Sequence, residues 1–161
     1  MMIQFHLMSS ELPTEVFRMI KIDAFEMKHL ATFEPKEEYE DIQRDMGKAI
    51  RDVNKTILTI FWKEAVLCIV GVSEFRKGAG EVWLLPSVHV DSCKMKFFKT
   101  VKSLIYEFVF PVLRFHRLEI AILQGWEKGM KWAKALGFKE SHVCEAYDSQ
   151  YRDHVIFYRI A

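Results

Sequence analysis

The segment GEVWLL, Gly80–Leu85, places the carboxylate of Glu81 two residues before Trp83 among apolar neighbours. Apolar surroundings disfavour the charged form of a carboxyl and raise its pKa towards the range of a general base. Glu81 therefore reads either as a proton acceptor or as an exposed strand-end carboxylate closing a turn. Further on, His89 lies by the entrance to a long helix and is a second candidate base. Ser92, Cys93 and Lys94 fall at the helix start, where backbone N–H groups and the helix dipole favour an anion such as phosphate. Lys94 and Lys96 add positive charge there. Asp91 opposes an anion unless its carboxylate caps its own helix. The same position lowers the pKa of a thiol, so Cys93 reads as a nucleophile or as an incidental structural thiol. The histidines, His6, His29, His89, His116, His142 and His154, contain no i, i+4 pair, which argues against a helical zinc site. Lys96, Lys99 and Lys102 line one helix face without interleaved aromatics, the pattern of a solvated surface rather than a nucleic-acid patch.

These residues need elements to position them. Met2–Met8 alternates apolar and polar residues and predicts an opening strand. From Leu12, the residues Val16, Ile20, Met27 and Leu30, with Phe17 and Ala24 beside them, keep helical spacing until Thr32–Pro35 interrupts. Pro35 suits the first turn of a second helix, in which Tyr39, Ile42, Met46, Ile50 and Val53 share a face. Thr56–Trp62 and Ala65–Ser73 predict strands joined by a hairpin at Lys63 and Glu64. The run AVLCIVGV is apolar on both alternating faces, as a central strand is. Glu81–Pro86 predicts another strand. Asp91 or Ser92 can cap the long helix, whose stripe is Phe97, Val101, Leu104, Ile105, Phe108 and Val112, and Pro111 should kink or end it. Arg117–Leu123 reads as a strand and Trp126–Leu136 as a short helix closed by Gly137. Ser141–Tyr147 and Val155–Ile160 form a terminal strand pair. The order is strand, two helices, three strands, helix, strand, helix and two strands. It predicts a single mixed α/β domain over residues 1–161, with the first three consecutive strands antiparallel and Arg117–Leu123 parallel after the helical crossover.

Composition narrows the class. The chain has 161 residues, about one domain's worth, and half of them are hydrophobic, enough to build a core. The 23 Lys and Arg nearly cancel the 22 Asp and Glu, so no global field attracts nucleic acid or an anionic membrane. The longest apolar run, Ala65–Val72, is far short of the roughly 20 residues of a membrane helix. The N-terminus lacks a basic segment followed by an apolar one, so a soluble, cytoplasmic protein is expected. Three cysteines, Cys68, Cys93 and Cys144, are an odd number without metal-ligand spacing, which predicts free thiols and no disulfide framework.

The element order, read with WEKGMKWAKALGF at Trp126–Phe138, resembles the GNAT superfamily of acyl-CoA-dependent N-acyltransferases, in which a strand leads into a short helix ending in a Leu-Gly-Phe-like turn. Trp132–Phe138, Tyr147 and Tyr151–Tyr158 are similar to stretches of divergent GNAT-like proteins encoded by bacteriophages. The order covers nearly the whole chain, and the residue-level likeness its last third. The resemblance implies a GNAT-like fold and acetyl-CoA as cosubstrate between the fourth and fifth strands. It would lie along Trp83, Leu84 and Leu85, with its pyrophosphate at Ser92, Cys93, Lys94 and Lys96. It also implies that Glu81 takes a proton from the acceptor amine; His89, by its place at the helix entrance, is the other candidate base. The chain departs from the family at the glycine-rich acyl-CoA motif: its arginine position falls on His89, and Val90, Ser92 and Lys94 stand near the expected small residues. The usual tyrosine acid of the short helix is replaced by Ala133, and Trp126 stands for a frequent asparagine, so Tyr147 or Tyr151 of the terminal strands is the substitute acid. The implied partners are an amine acceptor of unspecified kind, with a homodimer left open and neither membrane nor nucleic acid expected. The alternative function is a non-catalytic interaction or virion-associated factor on the same scaffold.

Overall fold

Lys63, with a left-handed φ of 55°, and Glu64 turn the chain between two β-branched, apolar runs. A computed structural model, which describes residues 20–24, 28–34 and 55–161, pairs those runs as β2 (Lys55–Trp62) and β3 (Ala65–Arg76). They belong to a seven-stranded sheet with β1 (Ile20–Ala24), β4 (Ala79–Pro86), β5 (Arg117–Leu123), β6 (Lys139–Cys144) and β7 (His154–Ile160), in the order β1-β2-β3-β4-β5-β7-β6. Among the described residues the α-helices are α1 (Lys28–Ala31), α2 (Lys94–Ser103) and α3 (Glu127–Ala135). β2, β3 and β4 are antiparallel neighbours, and the helical crossover brings β5 in parallel to β4, as the spacing of turns predicts.

β1 corrects the sequence reading. Ile20–Ala24 falls inside the stretch read as a helix from Leu12, yet it pairs antiparallel with β2, Ile20 opposite Trp62 and Ala24 opposite Leu58. The sequence IKIDA alternates with period two, and the β-branched Ile20 and Ile22 suit a pleated strand. Ile20 and Ala24 fit the helical spacing of their neighbours as well, so the longer pattern masked the short one. The strand expected at Met2–Met8 and the helix expected from Pro35 to Val53 lie outside the described residues.

The long helix also differs from its reading. A 3-10 turn at Val88–Ser92 precedes α2, whose N-cap is Cys93 with no side-chain capping bond, so neither Asp91 nor Ser92 caps it. Beyond Ser103 the helix widens into a π-helical segment, Leu104–Val109, with Phe110 N–H bonding Ile105 C=O at 3.1 Å, and it is over before Pro111, which has no N–H to continue it. Gly137 closes α3 at φ +92°, and a Cβ there would lie 2.6 Å from Tyr106 Oη. That hydroxyl donates to Leu136 C=O at 2.7 Å, which fixes the Leu-Gly-Phe turn against the widened helix.

Register assigns the two faces of the sheet, because paired residues share a face and successive residues alternate. Val82, Leu118, Ile122, Val155 and Phe157 share one core with Phe97, Val101, Leu104, Ile105 and Ala133, so α2 and α3 cover this side. The opposite side carries a smaller cluster of Phe33, Val66, Ile69 and Leu85, with Trp83 packed on it. Here His29 of α1 lies buried, its Nδ1 2.9 Å from Thr59 Oγ1. Among the described residues, no helix is long and apolar enough to cross a membrane.

Candidate functional site

β4 and β5 pair only at Ala79–Arg117, Gly80–Leu118 and Glu81–Glu119. Beyond those three rungs, among the described residues, Val82–Pro86 pairs with β3 alone and Ile120–Leu123 with β7 alone, so the two strands part in the middle of the sheet. Glu81 stands on the last shared rung, at the apex of the gap. Its face follows from the register: Glu81 is level with Glu119, Glu119 with Tyr158, Leu123 with His154, and His154 with Cys144. Glu81, Glu119, His154 and Cys144 therefore lie on the side away from α2 and α3. Arg117 donates to Glu119 at 2.8 Å and lies over the Tyr158 ring.

Tyr147 reaches this face from the β6–β7 loop, and its hydroxyl donates to Glu81 Oε1 at 3.0 Å. The loop is held from within. Ala146 N–H donates to Asp153 Oδ1 at 2.9 Å, Tyr147 N–H to Arg152 C=O at 2.9 Å, and Gln150 and Arg152 N–H to Asp148 Oδ1 at 2.9 and 3.0 Å. Arg152 Nε closes the set on Asp148 Oδ2 at 2.6 Å. Burial alone would raise the Asp148 carboxyl, but the bonds from Arg152 and Gln150 outweigh it and hold it below its ordinary range. This scaffold keeps Ala146 and Tyr151 in the left-handed region, at φ 49° and 57°, which non-glycine residues rarely occupy. The Tyr147 ring lies 4.9 Å from that of His154. Partial burial, followed by the charge and hydrogen bond of Glu81, pushes the Tyr147 phenol well above its ordinary pKa, so the hydroxyl stays protonated.

The remaining sequence candidates divide. Tyr151 is 82% exposed, whereas Tyr147 is 44% exposed and bonded to Glu81, so the structure distinguishes the two tyrosines. His89 sits in the 3-10 turn beyond the far end of β4, whose stretch from Glu81 to Pro86 alone spans about 17 Å at strand rise, and its N–H is bound to the buried Ser87 Oγ. Trp83, Leu84 and Leu85 lie on the part of β4 that has left β5. Trp83 occupies the space over Gly71, where a Cβ would come within 2.0 Å of the indole. Ser92 is exposed, and Lys94 pairs with Asp91 at 3.2 Å, so that the charge nearest the helix start is partly compensated. Lys96 lies 4.8 Å over the Trp62 ring. The expected lowering of the Cys93 pKa is overturned: the thiol is buried, and burial pushes its pKa up against the smaller pull of Lys96. Its N–H bonds Val90 C=O at 3.1 Å. Ala133, which the resemblance sets at the tyrosine position, is buried in the core. Trp126, at the asparagine position, is the N-cap of α3 and packs over Gly129. Sequence reasoning missed Glu119, His154 and Cys144, whose shared face emerges only from the register.

No family model and no curated protein matches the sequence. Solved structures do match. One acetyltransferase is 14% identical with a TM-score of 0.75, covering 89% of this chain and 84% of its own. The ribosomal-protein-S5-alanine acetyltransferase of Vibrio fischeri is 18% identical with a TM-score of 0.65, covering 89% and 94%. A mutant of the spermidine N-acetyltransferase SpeG of Vibrio cholerae is 13% identical with a TM-score of 0.66, covering 88% and 94%. This chain has the GNAT fold. In this GNAT fold the 3-10 turn Val88–Ser92 leads from the open stretch of β4 to α2, whose leading N–H groups have no acceptor within the helix, while the N–H of its N-cap Cys93 is taken by Val90 C=O. A strand edge unpaired among the described residues and a helix N-terminus form a donor set that suits a long anionic ligand.

Proposed function

We propose that the chain is an acyl-CoA-dependent N-acyltransferase, with acetyl as the acyl group, Glu81 as general base and Tyr147 as general acid. A fold alone does not fix a function. The observation that carries the reading is the Tyr147–Glu81 hydrogen bond at the point where β4 and β5 part. It joins an acceptor and a donor of protons beside the stretch of β4 that has left β5. Acetyl-CoA would be held by the backbone and side chains of Trp83, Leu84 and Leu85 and by the α2 start at Ser92, Cys93, Lys94 and Lys96. When bound, it supplies a thioester that an amine can attack.

Glu81 takes the proton of the attacking amine, and Tyr147 protonates the departing thiolate. The two steps help each other. The Glu81 charge is one reason why the Tyr147 proton is held tightly. Once Glu81 is protonated that contribution vanishes, and Tyr147 becomes the stronger acid when a proton is needed. The acceptor is an amine, the class on which the named S5-alanine and spermidine enzymes of this fold act. The stretches Trp132–Phe138 and Tyr151–Tyr158 support a phage-encoded protein of the host cytoplasm.

Binding is the first test. Acetyl-CoA at one hundred times its dissociation constant should stabilise the protein by ~2.7 kcal/mol, a melting shift of about 5 to 10 °C for a chain of this length. Absence of a shift with acetyl-CoA, free CoA and longer acyl-CoAs would favour the non-catalytic interaction or virion-associated protein instead.

A further inference from the structure

The three cysteines have different surroundings. Cys68 is fully buried and burial pushes its thiol far up; Cys93 is buried and pushed up as well. Cys144 is partly exposed at the end of β6, the edge strand of the sheet. Its Sγ lies 3.4 Å from Nε2 of His142, and the other ring nitrogen of His142, Nδ1, lies 3.0 Å from Ser141 Oγ. The β6–β7 register breaks between Glu140 and His142, and such an irregularity re-aims a side chain, here Ser141 towards its neighbour's ring. A nucleophile, a base within hydrogen-bond reach and a third group on the far side of the base form the arrangement that activates a thiol.

Cys144 also faces the candidate site. It pairs in register with His154, whose ring lies 4.9 Å from Tyr147, the partner of Glu81.

We propose that Cys144, His142 and Ser141 form a nucleophilic site that accepts an acyl group from a thioester and becomes S-acylated. The step rests on the proposed function in that its natural donor is acyl-CoA. With the Nδ1 proton donated to Ser141 Oγ, His142 Nε2 accepts the proton of the Cys144 thiol. The sulfur attacks the thioester carbonyl carbon and a new C–S bond forms. The original C–S bond breaks, and its electron pair leaves on the donor's sulfur, which takes the proton back from His142. One thioester is exchanged for another, without oxidant or reductant. Cys144 thereby provides a second acceptor beside the amine.

The test uses the full chain and two donors, acetyl-CoA and the small thioester S-acetyl-N-acetylcysteamine, which needs no nucleotide site. Intact mass and peptide mapping locate the acetyl group, and hydroxylamine reports whether it is a thioester. The expected result is one hydroxylamine-labile acetyl group on Cys144 and none on Cys68 or Cys93. With the small donor it should form at least about tenfold faster than on a free cysteine peptide. Cys144→Ser should abolish it, and His142→Gln should remove most of the rate advantage. Failure of the small donor to acylate Cys144 above the peptide rate, or an undiminished rate in His142→Gln, overturns the proposal. A melting shift with acetyl-CoA but no S-acetylation also overturns it and leaves the proposed function intact. Acylation by the small donor with neither binding nor reaction of acetyl-CoA leaves the thiol site standing and removes acyl-CoA as its donor.

Discussion

Replacing Glu81 by Gln is expected to lower acyl-transfer turnover by about 10² to 10⁴ while leaving acetyl-CoA affinity nearly unchanged. Gln keeps the length of the side chain and can still accept the Tyr147 hydroxyl hydrogen bond seen at 3.0 Å, so the apex of the gap keeps its shape. It cannot take a proton from an amine. Turnover should therefore fall while the melting shift with acetyl-CoA persists. Tyr147→Phe tests the other half of the pair: the ring can still pack on His154, but the donor is gone, and the defect should also appear in turnover rather than in binding. Full turnover in Glu81→Gln at every pH would make Glu81 a strand-end carboxylate closing a turn. His89 would then be the next base to examine, although it sits at the other end of β4.

The second large effect concerns stability. Phe157→Ala should destabilise the fold by about 3 to 5 kcal/mol, the range for removing a buried aromatic ring from a packed core. Phe157 is 0% exposed and shares the larger core with residues of α2 and α3. Its strand, β7, is bracketed by β5 and β6, so the ring anchors the middle of the half-sheet that carries Cys144, Glu119 and His154. Denaturant unfolding should show a lower midpoint with an unchanged slope. A loss below about 1 kcal/mol would mean that this side of the sheet is not the packed one.

Most of the architecture was legible where the apolar pattern has a single period. Arg117–Leu123 has the same ends in sequence and structure, and the hairpin at Lys63 and Glu64 follows from two β-branched runs around two polar residues. Ile20–Ala24 was not legible, because its alternation is five residues long and two of its apolar residues also satisfy helical spacing. The site shows the same division. Glu81 stands out as the carboxylate opening an apolar strand, but what joins it to Tyr147 is a fold in which β4 meets β5 at three rungs and the β6–β7 loop bends back over them. Tyr147 and Tyr151 are alike in sequence, and they are separated by the folded loop, which Asp148 and Asp153 brace so that Tyr147 reaches Glu81 while Tyr151 stays exposed. Cys93 lies where a helix start would activate a thiol, and burial, which a short segment does not reveal, reverses the expectation. Cys144 stands two residues from His142, so strand alternation puts both on one face, but the folded sheet is needed to show the two side chains in reach of each other and level with His154.

The most direct measurement of acyl transfer is release of the CoA thiol from acetyl-CoA, followed against a panel of primary amines and amine-bearing peptides, with the mass of the acceptor read in parallel. The predicted result is catalytic thiol release that depends on the amine, an acetyl group gained by that amine, and loss of both in Glu81→Gln. Self-acylation of Cys144 accounts for one equivalent of thiol per chain, so turnover beyond that amount belongs to the amine reaction. Thiol release that ignores the amine, or none beyond one equivalent with every amine from a protein that acetyl-CoA demonstrably stabilises, would contradict the assignment of Glu81 and Tyr147 as a transfer site.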